Sequence, residues 1–237
     1  MENLENKVAY ITGGSKGIGL GVAKKLLQIG MKVAISGRSW ESLEKAKLLL
    51  NAPVNLLLVR SDVTRIKDEQ AAIRNILDEW GQLDVVLANA GVGVFAPVDE
   101  LSETDWHLMI NTNLNGVFNT LKASVDALKR SKGYYITLAS LAGTNFFAGG
   151  TGYNATKFGV VGFTQAAMLD LRKYDIKVST IMPGSVATHF NNNLPSEKDN
   201  WKIQPEDIGE LVVDLLKMNP RTLPSKIEVR PTRPDKK

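Results

Sequence analysis

Tyr153 and Lys157 stand four residues apart, and Ser140 lies 13 residues before the tyrosine. On a helix, a four-residue step puts two side chains on one face, one turn apart. A lysine ammonium beside a phenol favours the phenolate. A free phenol titrates near ~10. A unit charge about 4 Å away, at an effective dielectric of about 20, is worth ~4 kcal/mol, or roughly three pKa units. The tyrosine then becomes a proton donor and acceptor suited to neutral pH. A serine hydroxyl beside it can hold a substrate oxygen. The pair alone carries little weight, since Tyr-x-x-x-Lys arises by chance in roughly one of every two or three chains of this length. Its weight comes from the rest of the chain.

Short apolar runs alternate with helix-periodic stretches throughout. Strands are expected at Val8–Ile11, Lys32–Ser36, Leu56–Val59, Asp84–Ala88, Tyr134–Leu138 and Lys177–Met182, with a last one at Lys226–Val229. Between them helices are expected from Ile18 to Ile29, Trp40 to Leu50 and Lys67 to Trp80. Others follow from Glu103 to Lys129 as one long rod, Thr151 to Arg172 and Pro205 to Met218. Continuous Val/Ile/Leu-rich strands separated by helices imply a parallel sheet covered on both faces. With right-handed crossovers this is a single-domain, doubly wound α/β fold of Rossmann type over residues 1–230, followed by a basic, proline-containing tail at 231–237. Pro231 and Pro234 should stop the last strand.

Thr12-Gly-Gly-Ser-Lys-Gly-Ile-Gly19 joins the first strand to the first helix. Glycines let a backbone turn sharply and approach a pyrophosphate. The helix N-terminus supplies free amide donors and the positive end of a dipole. The spacing has three residues between the first and second framework glycines and is not the literal Gly-x-Gly-x-x-Gly.

Thr12-Gly13-x-x-x-Gly17-Ile18-Gly19, Asn89-Ala90-Gly91, Asn113, Ser140, Tyr153-x-x-x-Lys157 and Pro183-Gly184 together resemble the short-chain dehydrogenase/reductase family, in family order from about Lys7 to Thr188. The resemblance implies a dinucleotide on the loop Gly13, Ser15, Lys16, Gly17, Ile18 and Gly19. It implies Asp62 and Val63 at the adenine, Asn89, Ala90 and Gly91 supporting the adenosine side, and Val186 and Thr188 after Pro183-Gly184 orienting the nicotinamide. Catalysis would fall to Asn113, Ser140, Tyr153 and Lys157. Lys157 would also bind the nicotinamide ribose, and Asn113 would hold a relay water; Asn111 and Asn115 compete for that place, but Asn113 is the one in Asn-x-x-Gly. Relatives often end in a Val-Asp-Gly-Gly-like turn, absent here, which puts the usual tail-mediated subunit contact in doubt.

Charge argues for the cofactor. NAD users usually place an acid at the end of the second strand. Here Gly37 and Arg38 stand there, with Lys16 as a second cation. A guanidinium binds a 2′-phosphate bidentately, so NADP(H) is expected. The expected activity is NADPH-dependent reduction of a ketone or aldehyde, with a small carbonyl/alcohol substrate. A narrower alternative is a 3-oxoacyl-(acyl-carrier-protein) reductase. A rival of another class is a nonenzymatic NADP(H) sensor or scaffold. Loops Val92–Pro97, Leu141–Gly150 and His189–Trp201 should shape the substrate pocket, with Phe95, Phe146, Phe147 and Phe190 making it apolar.

Composition excludes much else. No cysteine means no disulfide or thiolate zinc, and two histidines are too few for a histidine metal site, so no metal is expected. The net charge of +4 equals the excess carried by Arg221–Lys237, which leaves a neutral body without a basic face for nucleic acid. No apolar run is long enough to span a bilayer, and the acidic start does not resemble a secretory signal; a cytoplasmic protein is expected. The helix from Thr151 is apolar on more than one side, so a homodimer or homotetramer is expected.

Overall fold

Seven parallel strands in the order 3-2-1-4-5-6-7 form one sheet. A computed structural model of the chain describes residues 3–233. The strands are β1 (Val8–Ile11), β2 (Lys32–Gly37), β3 (Leu56–Arg60), β4 (Val85–Ala88), β5 (Tyr134–Leu138), β6 (Lys177–Pro183) and β7 (Lys226–Val229). Helices α1 (Gly17–Gln28), α2 (Trp40–Leu49) and α7 (Pro205–Lys217) cover one face. Helices α3 (Ile66–Trp80), α5 (Gly116–Ser131) and α6 (Thr151–Leu171) cover the other. Alternate residues of each strand feed the two cores. Ala9 and Ile11 of β1 join the first, and Val8 and Tyr10 the second. The strand order reverses between β1 and β4, and a ligand cleft opens at such a point.

Element positions follow the sequence closely. β4 starts one residue late because the Asp84 carboxylate turns back to accept from the Val8 amide (2.8 Å) and from Lys7 Nζ (3.1 Å). β7 stops before Pro231, as expected. Pro234 lies outside the described residues.

The long helix expected from Glu103 to Lys129 is not continuous. It divides into α4 (Glu103–Met109), a π turn at Ile110–Asn115, and α5. A π turn admits one extra residue into the helical ladder.

Beneath the ends of β1, β2 and β3 lies a carboxylate that sequence reading passed over. Glu69 of α3 is fully buried. Its Oε1 accepts from the hydroxyls of Tyr10 (3.0 Å) and Ser61 (2.6 Å), and its Oε2 from Thr120 (2.9 Å). Tyr10 also donates to Ser36 Oγ (3.0 Å). Burial raises the Glu69 pKa above its ordinary value of 4.5, partly opposed by these hydrogen bonds. A raised carboxyl pKa means the fold prefers the protonated form. That preference is in full force below about 4.5 and fades as pH rises through the folded value. Glu69→Gln keeps a partner for every hydroxyl, because Thr120 donates to Gly116 O (2.8 Å) and can accept from the new amide. Urea unfolding should therefore find wild type losing stability relative to Glu69→Gln from mild acid to neutral pH. A pH-independent gap would overturn the raised pKa.

Candidate active site

The loop after β1 makes two left-handed turns, at Gly13 (φ 63°) and Gly17 (φ 55°), conformations that glycine adopts at least cost. Ser15, Lys16, Gly17 and Ile18 thereby line a cleft of about 1040 Å³ at the N-terminus of α1. Gly19 does not face this cleft. A Cβ there would stand 2.6 Å from Asn89 Nδ2 and 2.8 Å from Gly13 O, so Gly19 permits close packing behind the loop. Asn89 ties the loop to β4, donating from Nδ2 to Thr12 O (2.8 Å) and Gly13 O (3.1 Å). Ala90 and Gly91 continue the cleft wall towards its far end.

At the β2 end, Gly37 and the exposed Arg38 border the cleft, with no acid in either place. Ser39 and Ser42, at the start of α2, border it too. Arg60 ends β3 in register with Gly37 and donates from Nε to Arg38 O (3.2 Å). Asp62 and Val63 form the adjoining wall. Asp62 Oδ1 is held by Thr64 through its amide (3.0 Å) and hydroxyl (2.9 Å).

The other end of the cleft gathers Ser140, Tyr153 and Lys157, with Pro183, Gly184, Val186 and Thr188 along its wall. Ser140 follows β5 and caps the short turn at Leu141–Gly143, its Oγ accepting from Ala142 N (3.1 Å). Tyr153 and Lys157 share one face of α6, as their spacing requires. Lys157 Nζ sits 5.6 Å from the centre of the Tyr153 ring and donates to Leu138 O (2.9 Å).

The electrostatics depart from expectation. Burial pushes Tyr153 up to about 12, with the Ser140 hydroxyl pulling the other way. Burial brings Lys157 down to about 8. The lowering of the phenol by its lysine, expected from a 4 Å separation, is outweighed by loss of water around both groups. The lysine is also pinned to a backbone carbonyl, away from the hydroxyl.

Asn113 also departs. It is buried behind Val92 and does not line the cleft. Its Oδ1 accepts from Val92 N (2.8 Å), and its Nδ2 donates to Val92 O (2.8 Å) and Thr156 Oγ1 (3.0 Å). Thr156 in turn donates to Tyr153 O (2.8 Å). Both amide hydrogens are used, and a relay water is left one oxygen lone pair in a site closed to solvent. The side chain is a strut between the Val92 loop and α6. Asn111 and Asn115 point outward and bond each other (2.9 Å).

Three of the four loop phenylalanines converge on Tyr153. Phe95 stands edge-on to it (centroids 5.4 Å, 88°), Phe190 is tilted against it (5.7 Å, 54°), and Phe147 meets Phe95 (5.6 Å, 71°). Phe146 is 85% exposed and takes no part. Asn154 secures the loop after Ser140, donating to Ala142 O (2.7 Å) and Asn145 O (2.8 Å). Lys202 and Arg230 also reach the cleft, brought there by the Val186–Ile203 bridge and the β6–β7 pairing. No local motif announces either. Arg60, by contrast, could have been found by setting the ends of β2 and β3 side by side.

Residues 7–199 match the family model described as short chain dehydrogenase. The chain belongs to the short-chain dehydrogenase family. It is 32% identical over 232 residues to an uncharacterized oxidoreductase of Staphylococcus aureus, covering 98% of this chain and all of the relative. It is 33% identical over 204 residues to a 3-oxoacyl-[acyl-carrier-protein] reductase of Chlamydia trachomatis, covering 84% and 82%. Among solved structures it is similar to an alcohol dehydrogenase of the archaeon Thermococcus sibiricus complexed with 5-hydroxy-NADP, with a TM-score of 0.90, 33% identity, and 98% and 100% coverage. A 3-ketoacyl-(acyl-carrier-protein) reductase of Brucella melitensis complexed with NADH gives 0.88, 25% identity, and 95% and 97% coverage. This short-chain dehydrogenase is therefore an oxidoreductase with a nicotinamide dinucleotide site. The residues fit that group: a glycine loop open to a pyrophosphate at one end, and a buried Tyr/Lys pair at the other.

Proposed function

We propose that the protein reduces a ketone or aldehyde to an alcohol with NADPH. The observation that carries this reading is one continuous cleft with Arg38 at one end and Ser140, Tyr153 and Lys157 at the other. The hydride is the chemistry that NADPH supplies when bound. Ser140 holds the carbonyl oxygen, and Tyr153 gives it a proton. A phenol whose pKa is pushed up to about 12 keeps that proton at neutral pH, which is the form a donor needs. Lys157 is the cation nearest the tyrosine and the group for the nicotinamide ribose. Asn113 fixes the distance between the Val92 loop and α6. The amides of Ser15 to Ile18 bind the pyrophosphate, Asp62 and Val63 take the adenine, and Val186 and Thr188 the carboxamide. Arg38, with Lys16 and Arg60 near it, supports the choice of NADP(H) over NAD(H).

An acyl thioester is the second reading, favoured by the likeness to the chlamydial reductase and by Lys202 and Arg230 at the cleft. The test is a screen of NADPH oxidation across small ketones, β-keto esters, acyl thioesters, quinones and steroids. Turnover of simple ketones supports the first reading, and turnover confined to thioesters the second. NADPH binding with no turnover anywhere would leave a sensor and overturn both.

The outer face of α5 and α6 favours a homodimer or homotetramer. Phe118, Phe158 and Leu169 are 50%, 42% and 59% exposed on it, and Phe118 meets Phe163 at 6.5 Å. Such a face is costly to leave in water. Phe158→Glu with Leu169→Glu should lower the mass measured by light scattering to that of one chain. An unchanged multimer would put the interface elsewhere. Among the described residues no helix is long and apolar enough to cross a membrane, and no group of three or more His, Cys, Asp or Glu is placed to hold a metal. A cytoplasmic enzyme acting on a small carbonyl or alcohol, without nucleic acid or membrane, is the reading these features support.

A further inference from the structure

We infer that the substrate carries an aromatic ring next to its carbonyl, and that Phe95, Phe147 and Phe190 bind that ring. This rests on the reductase reading above and names its substrate class. The three rings belong to three different loops, yet they meet at the one tyrosine proposed to donate a proton. Their seats are built for them. A Cβ on Gly93 would stand 2.6 Å from the Phe190 ring, and a Cβ on Gly150 would stand 2.7 Å from the Phe147 ring. Each phenylalanine therefore rests on a position where a larger residue would displace it.

The rings are also unfinished as a core. Phe95 and Phe147 remain 42% and 48% exposed although they touch each other. Exposed apolar surface beside a reacting group marks the place for an apolar part of the ligand. The arrangement selects among apolar groups. Phe95 is nearly perpendicular to Tyr153 and steeply inclined to Phe147, so positive ring edges point at negative faces. A planar aromatic ring extends such a herringbone, whereas a saturated ring of equal size offers area alone. Every oxygen the chemistry needs is met on the opposite side by Ser140 and Tyr153, which leaves the aromatic side free of polar demands.

The test compares a phenyl ketone with its cyclohexyl counterpart, which matches it closely in size. Edge-to-face pairs are worth roughly 0.5–1.5 kcal/mol beyond area, or about two- to tenfold each. Wild type should prefer the phenyl ketone in kcat/KM by about tenfold. Phe147→Leu and Phe95→Leu should each remove two- to tenfold of that preference while the cyclohexyl ketone is little changed. Gly93→Ala should do the same by moving Phe190. Equal or better use of the cyclohexyl ketone by wild type, or equal losses for both ketones in the variants, would overturn the aromatic assignment while leaving the reductase reading intact. Calorimetric binding of 1-phenylethanol and 1-cyclohexylethanol to the NADP⁺-loaded protein reads the same preference without turnover. A failure to reduce any carbonyl would sink the reductase reading, and the calorimetry would still decide for or against the aromatic site.

Discussion

Tyr153→Phe should lower carbonyl reduction by at least the ~100-fold that follows loss of a general acid, with NADPH binding nearly unchanged. Only a hydroxyl is removed, and the ring keeps its contacts with Phe95 and Phe190. The pH profile adds a second signature. Lys157 titrates at about 8 in its buried place, so its charge beside Tyr153 is present below that value and lost above it. Wild-type kcat/KM for reduction should therefore fall as pH rises through about 8, well before the phenol itself titrates. Stopped-flow oxidation of NADPH across this range measures both. Near-wild-type turnover by Tyr153→Phe would mean that the proton comes from elsewhere.

Arg38→Ala should weaken NADPH by about ten- to hundredfold and leave NADH almost untouched. A charge-assisted contact is worth roughly 1.5–3 kcal/mol, and each ~1.4 kcal/mol is a factor of ten. The side chain is exposed and makes no ion pair, so its loss should cost the fold little. Gly37→Asp acts by the complementary route, repelling a 2′-phosphate and offering a carboxylate to the ribose. Space exists for it: a Cβ at Gly37 meets nothing closer than Ser15 Oγ at 3.5 Å. The double variant should prefer NADH. Fluorescence titration of both cofactors against each variant measures this. Equal losses for NADPH and NADH would make Arg38 a prop for the loop, and a wild type that prefers NADH would overturn the NADP(H) assignment.

Features written in consecutive residues were legible. The phosphate loop needs glycine at fixed offsets, and Tyr153 and Lys157 need one helical turn between them. Strands buried on both faces declare themselves as apolar runs, and seven were found within a residue or so of their ends. What depends on distant segments meeting was not legible. Glu69 read as one more charge on an amphipathic helix, because its three hydroxyl partners come from β1, β3 and α5. Lys202 and Arg230 reach the cleft only through pairings made late in the chain. The pKa of Tyr153 was misjudged for a related reason. Spacing gives the distance to a charge, but the amount of water removed depends on every loop that closes over the ring.

The π turn at Ile110–Asn115 has a consequence for how this chain can change over time. An α-helix advances about 100° per residue, so one extra residue rotates everything after it by that angle. Met109 before the turn is buried against the site, and Asn119 and Thr120 after it reach Val63 O and Glu69 on the far side of the core. Both sets point inward only because the added residue sets their phase. Losing any single residue from this stretch would let the helix close into a regular α-helix with an extra hydrogen bond. The same step would swing Asn119 and Thr120 towards solvent and Phe118 towards the interior. Insertions and deletions here are thus filtered by angle rather than by chemistry: side chains can drift one at a time, but the residue count of this segment cannot.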